Sequence, residues 1–332
     1  MNIEKFTLSR SDGHMEGWPD LIRTRTGRLL CPYNECTAHG NRDHTFIALR
    51  SSDDNGLTWS APRHIGPETM HGDQYNSIRV NQLPDGRIWL VVDRIAGNEL
   101  DPRCQIHVFE SLDDGETWSG PRDTGLHGYC TDKIRALPDG SLLLLVSVYC
   151  PDIGKSAVYA HRSEDGGRTW SARIEAGRDA RYSLIEPAAL LLPGGEIVAF
   201  MRENSAKGYD CIKSISRDGG RTWEGVYSHA IPCCHRPSVG FLRDGRILLT
   251  YRHYEPPVCD LWYAVFDAAS ALEPDRAAQR VVCGLLDHDP APKPDGGYSG
   301  WVEQPDGSIL AVSYITDDAP RPFIRGYRIA EV

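Results

Sequence analysis

Arginines, carboxylates, a phenol and hydroxyls recur at two fixed distances from glycine in this 332-residue chain. Nine residues before six successive turn glycines stand Trp18, Ser77, Thr131, Glu186, Arg236 and Tyr298. Seven residues after the same glycines stand Asn34, Asp93, Ser147, Arg202, Arg252 and Tyr314. In the third group Asp132 is as good a candidate as Thr131, because that hairpin reads as shorter than the rest. Polar side chains at the ends of apolar strands suit a ligand site better than a core. Arg202, Arg236 and Arg252, with Arg79 and Arg94 near the second group, offer guanidinium forks for a carboxylate. His71, His127, His235 and His253 fall in or near the same segments as acid/base or metal-binding candidates, and Asp73 and Asp93 are further acids. Glu186 has a structural alternative, a buried carboxylate paired with Arg202 or Arg236.

The elements that would carry these residues follow from the turns. Leu83-Pro84-Asp85-Gly86, Leu137-Pro138-Asp139-Gly140, Leu192-Pro193-Gly194-Gly195, Leu242-Arg243-Asp244-Gly245 and Gln304-Pro305-Asp306-Gly307 share one pattern, with a looser copy at Arg25-Thr26-Gly27. Each precedes a short apolar run such as Arg87-Ile88-Trp89-Leu90-Val91-Val92. A Pro-Asp-Gly turn between two such runs is a hairpin. Six hairpins roughly fifty residues apart predict an all-β chain, a six-bladed β-propeller with four strands per blade, filling residues 1–332 as one domain. The two strands of a hairpin are antiparallel, so both polar sets lie at one end and gather around the axis of the ring. An N-terminal strand at Phe6-Thr7-Leu8 is expected beside the C-terminal strand near Tyr327-Arg328-Ile329, and 268–280 as a short helix.

A second repeat, Ser-x-Asp-x-Gly-x-Thr-Trp, runs Ser52 to Trp59, Ser111 to Trp118, Ser163 to Trp170 and Ser216 to Trp223. Asp and Gly make a tight turn, the hydroxyls bond nearby backbone, and Trp plugs the blade edge. On these boxes the chain resembles the Asp-box, or bacterial neuraminidase repeat, superfamily that includes the sialidases. The resemblance implies a sialidase-type propeller, with the box between the third and fourth strands of a blade. It also implies that Asp54, Asp113, Asp165 and Asp218 are structural.

Three positions match sialidase motifs. Tyr298, in Gly297-Tyr298-Ser299-Gly300, resembles the stretch carrying the nucleophile; Glu186, in Glu186-Pro187-Ala188, resembles the segment whose carboxylate is its base. Asp43, in Arg42-Asp43-His44, stands where the family has its acid/base aspartate. A phenol needs such a base near neutral pH, and Asp43 would protonate the leaving oxygen and later activate water, a retaining scheme with tyrosine replacing one carboxylate. The chain departs from the family at the three arginines that hold the substrate carboxylate. Gly17-Trp18-Pro19 replaces the first motif, Cys211-Ile212-Lys213 stands at the second, and Val258-Cys259-Asp260 offers no third. Arg202, Arg236 and Arg252 are the expected replacement anchors, with Trp18 stacking on a sugar ring and Asp93, Arg79 and His71 as further substrate contacts.

The reading is therefore an exo-glycosidase removing a terminal acidic sugar without cofactor or metal. A uronate-glycan lyase or hydrolase using a funnel histidine or Asp93 is the first alternative, and a non-catalytic carbohydrate-binding propeller the second. A net charge of -10 argues against nucleic acid as partner. No run approaches membrane-spanning length, so no membrane partner is expected. Ten scattered cysteines without a leader segment point to free thiols and a cytoplasmic location. Cys233 and Cys234 lack metal-ligand spacing.

Overall fold

The structure is a computed structural model that describes residues 2–39 and 43–332. Alternating apolar runs fold into six antiparallel sheets arranged as a six-bladed β-propeller. Blade two shows the pattern: Asp73–Gln82 innermost, then Ile88–Ala96, Gln105–Ser111 and Ser119–His127 at the rim. Blades four and five repeat it with Leu184–Leu191 and Cys234–Phe241 innermost. Blade one splits its inner strand into Met15–Gly17 and Ile22–Arg23, both paired with Leu29–Cys36. Blade three keeps only Arg135–Ala136 there, plus an isolated bridge between Tyr129 and Ser147.

Both faces of each inner sheet are apolar because each packs against a neighbouring blade, and the strand period of two sends alternate residues to opposite neighbours. In Leu29–Cys36, Leu29, Cys31 and Tyr33 face Leu310, Val312 and Tyr314 of blade six, whereas Leu30 faces Val80 and Leu90 of blade two. Further layers join blades two to three, three to four, four to five and five to six. Blade six is completed by the N-terminus: Ile3–Ser9 pairs antiparallel with Phe323–Ile329, setting Lys5 opposite Tyr327. The expected helical stretch contains Ala268–Leu272 and a single turn at Arg276–Ala278.

The four boxes lie between the third and fourth strands of blades one to four. In each, the aspartate binds its own loop: Asp54 accepts the Thr58 N–H at 2.9 Å, and Ser52 Oγ donates to it at 2.8 Å. Asp113, Asp165 and Asp218 repeat the arrangement. Their carboxylates are spent on turn geometry. The ten cysteines form no disulfide, and among the described residues no helix is long and apolar enough to cross a membrane.

Candidate active site

The inner strands do not run straight to the axis. At Trp18, Ser77, Cys130, Glu186 and Arg236 the backbone turns left-handed, with φ of 53, 52, 47, 51 and 50°. In three blades this coincides with a jump in strand register, between Asn76 and Arg79, Ile185 and Ala188, and His235 and Ser238. Each is a bulge that re-aims one side chain. A left-handed non-glycine residue costs of order 1 kcal/mol, so five copies in one ring must be held by the surrounding sheets. Blade six does it differently: Gly297 takes φ 85° and Tyr298 follows. A Cβ on Gly297 would lie 2.9 Å from the Arg252 Cβ, so glycine also lets that arginine approach.

The third blade corrects the expected register. Cys130, not Thr131 or Asp132, holds the funnel position, because this hairpin is one residue longer rather than shorter: ten residues separate Cys130 from Gly140 where the others have nine. Asp132 is turned away, accepting the Ala189 N–H at 2.7 Å and pairing with Arg135 at 3.2 Å.

The bulges surround a polar cavity of about 200 Å³, lined among others by Trp18, Ser77, Glu186, Arg202, Arg252 and Tyr298. The Tyr298 hydroxyl donates to Glu186 Oε1. Arg202 Nη1 reaches both Glu186 oxygens at 3.1 Å and the Tyr298 oxygen at 2.8 Å. The Arg236 backbone N–H donates to Glu186 Oε2 at 3.0 Å. The Arg252 guanidinium stands 3.9 Å over the Tyr298 ring and donates to the Tyr314 hydroxyl at 2.9 Å. Burial disfavours the Glu186 charge, but Arg202 and Arg236 outweigh it and bring its pKa down to about 2. Burial raises the Tyr298 pKa; Arg252 opposes this and Glu186 adds to it. The resting state is thus a neutral phenol hydrogen-bonded to a carboxylate.

The other expected residues lie beneath, behind or outside the cavity. Arg236 and Arg79 are buried beneath the cavity, and each donates to an inner-strand carbonyl: Arg236 to Ser77 at 3.2 Å, Arg79 to Pro237 at 3.1 Å. Neither lines the cavity, so neither is placed as a direct anchor. Asp93 is fully buried behind Asn76, whose side-chain amide donates to it at 3.4 Å. Burial first, then Glu99, raises its pKa to about 7. Asn34 and Ser147 are buried and serve the backbone of Tyr75 and Cys130. His71 and His127 are exposed and do not line the cavity, and Arg94 is paired outside it with Asp73. His235 is buried and neutral, its pKa lowered to about 2 by burial and then by Arg202 and Arg252. Asp43 is exposed, directly after residues 40–42, and is not among the described lining residues.

The sequence reading missed one wall. His39 Nδ1 lies 2.7 Å from Asp295, which accepts from the Tyr314 hydroxyl at 3.0 Å, and the Trp18 ring meets His39 edge-on at 4.9 Å. Burial disfavours the Asp295 charge, but His39 and Arg252 hold its carboxyl below the usual range. Pro294-Asp295-Gly296 looks like one more turn, and His39 lies in a loop outside the repeat, so neither carried a signal. Glu99, Asn76 and Asn204 also line the cavity.

Residues 27–258 match the BNR repeat-like domain family. An exo-alpha-sialidase of Aspergillus fumigatus is 25% identical over 60% of this chain and 54% of its own length. The chain spans about half the length of the curated relatives it matches. Among solved structures, a Dyadobacter fermentans protein of unknown function superposes with a TM-score of 0.83 at 19% identity, covering 99% of both chains. A Hadza microbial sialidase gives 0.72 at 19% identity, covering 98% of this chain and 68% of that one. At these identities the solved structures show a shared fold.

Proposed function

The chain belongs to the family of BNR repeat-like domains, and from that premise we propose that it is a retaining exo-glycosidase acting on a terminal acidic sugar. The observation that carries the reading is the shared hydrogen bonding of the Tyr298 phenol, the Glu186 carboxylate and Arg202 Nη1. In this reading Tyr298 Oη attacks the anomeric carbon while its proton passes to Glu186, and the departing oxygen takes a proton from Asp43. Water, deprotonated by Asp43, then displaces the enzyme-bound sugar, and Glu186 returns the proton to Tyr298. Cationic Arg202 and Arg252 favour the phenolate as it forms. A neutral nucleophile also avoids repelling an anionic substrate.

Arg202 and Arg252 line the cavity and are the carboxylate anchors, with Trp18 as the stacking surface. An incoming carboxylate would offset the guanidiniums that hold Glu186 near 2, raising its proton affinity only when substrate is bound. The sialidase relatives support the sugar class; Trp18, where the family has arginine, favours a sugar other than sialic acid.

Aryl glycosides of sialic acid, glucuronic acid, rhamnose and fucose test this, with Glu186→Gln and Tyr298→Phe as controls. Release from an acidic sugar, lowered roughly 10²- to 10⁴-fold in kcat by Glu186→Gln, is expected. Glycan binding without turnover by the unaltered protein would make it a lectin, and an unsaturated, ultraviolet-absorbing product would make it a lyase.

A further inference from the structure

We propose that Cys233, His253 and Glu255 form a site for a thiophilic divalent cation, zinc foremost, at one end of blade five. Glu255 follows His253 by two residues in Ile247–Glu255, so both side chains leave the same side of the pleat. Cys233 immediately precedes the neighbouring strand Cys234–Phe241. Pairing of Cys234 with His253, and a 3.1 Å bond from the Tyr254 N–H to the Cys233 carbonyl, draw the three together. One donor atom from each lies within 4.8 Å of the other two.

The histidine is already oriented as a ligand. Its Nδ1 lies 3.2 Å from the Pro232 carbonyl, a contact that needs the proton on Nδ1 and leaves a lone pair on Nε2. The ring stacks on Trp262 at 4.6 Å, and Nε2 faces the Glu255 carboxylate at 4.0 Å. Cys233 takes a left-handed φ of 48° to enter the strand. Sequence spacing concealed this set, because Cys233 is brought to its partners by strand pairing.

A thiolate, an imidazole and a carboxylate select zinc over calcium or magnesium, which take oxygen ligands. Three protein donors leave the fourth tetrahedral position to water. Binding forms the sulfur–metal bond as the thiol proton leaves for solvent. Cys233 and Glu255 border a second cavity of about 230 Å³ whose lining includes His235 and Glu203. The site is separate from the Tyr298–Glu186 chemistry, and its test does not use glycosidase activity.

Zinc is titrated calorimetrically into the full chain, and cobalt(II) is followed by absorption. One equivalent of zinc and a thiolate-to-cobalt charge-transfer band are expected. Cys233→Ser should remove the band and weaken zinc by roughly a hundredfold; His253→Gln should weaken it similarly, and Cys150→Ser should change neither. Near-ultraviolet circular dichroism checks folding. Should Cys233→Ser fail to fold, alkylation of the unaltered protein decides, since zinc must protect the Cys233 peptide from iodoacetamide in mass spectrometry. No zinc uptake, unchanged affinity in folded Cys233→Ser, or equal Cys233 labelling with and without zinc overturns the proposal.

Discussion

A phenol that donates to a carboxylate held by the Arg202 guanidinium and the Arg236 backbone N–H keeps its proton at rest, and the same contacts make the site sensitive to pH in a defined direction. The Glu186 pKa is about 2 in the fold against an ordinary value near 4.3. Its contribution to stability is therefore present above the unfolded value and is lost as pH falls through about 2. Denaturant titrations should show Glu186→Gln destabilised by about 3 kcal/mol at pH 6 to 8. The gap between variant and parent should narrow steadily as pH drops from roughly 4 toward 2. Asp93 behaves oppositely. Buried, with desolvation and Glu99 outweighing the attraction of Arg236 and its pKa raised to about 7, it is protonated at no cost below its unfolded value near 3.9 and increasingly destabilises the fold up to pH 7. Asp93→Asn should match the parent near pH 4, gain a few kcal/mol by pH 7, and level off above. A gain that keeps rising at pH 9 would assign the effect to another group. In turnover, a base this acidic stays ionised across the working range, so an acidic limb of kcat/KM between pH 4 and 7 must come from a residue other than Glu186.

At the scale of the element, the bulge decides which residues meet. The nine-residue offset from glycine locates it in blades one, two, four and five, and so Trp18, Ser77, Glu186 and Arg236 were legible from spacing alone. One inserted residue hid Cys130. Direction was less legible than position. Of the expected anchors, Arg202 and Arg252 reach the cavity from second strands, whereas Arg236 lies on the bulge itself and sends its side chain beneath it. No sequence pattern distinguishes a guanidinium that faces the cavity from one that caps a carbonyl under it. In blade six the device rests on Gly297, where φ is 85° and an added Cβ would meet the Arg252 Cα at 3.0 Å. Gly297→Ala should therefore cost roughly 1–3 kcal/mol through backbone strain and crowding. Because it pushes Arg252 and Tyr298 apart, kcat should fall more than stability alone accounts for. A variant with reduced melting temperature and unchanged kcat would show that the Arg252–Tyr298 contact has no part in turnover.

The whole ring was the most legible feature, because six turns and four boxes are local signals repeated at blade spacing. His39, which lines the cavity, and Asp295, which pairs with it, were not, since they come from connections that follow no repeat. Ring closure depends on pairing across the full chain, with Ile3 opposite Ile329 and Phe6 opposite Gly326. Gly326 is required there: a Cβ would sit 2.1 Å from the Phe6 ring. Pairings of such sequence separation are entropically costly to close and weakly supported until the rest is formed. Blade six also carries Tyr298, while Glu186 belongs to blade four. Loosening the closure is therefore expected to separate nucleophile from base before the other blades unfold. Gly326→Val, which would expel Phe6 and unpair Ile3–Ser9 from Phe323–Ile329, should lose turnover at a lower temperature than it loses far-ultraviolet circular dichroism. The exposed edge should also make it prone to aggregate. Hydrogen exchange should rise together in Ile3–Ser9 and Phe323–Ile329 while Leu142–Cys150 stays protected. Coincident loss of activity and of all secondary structure would instead make the propeller one cooperative unit, with Tyr298 held by its neighbours whether or not the N-terminal strand is seated.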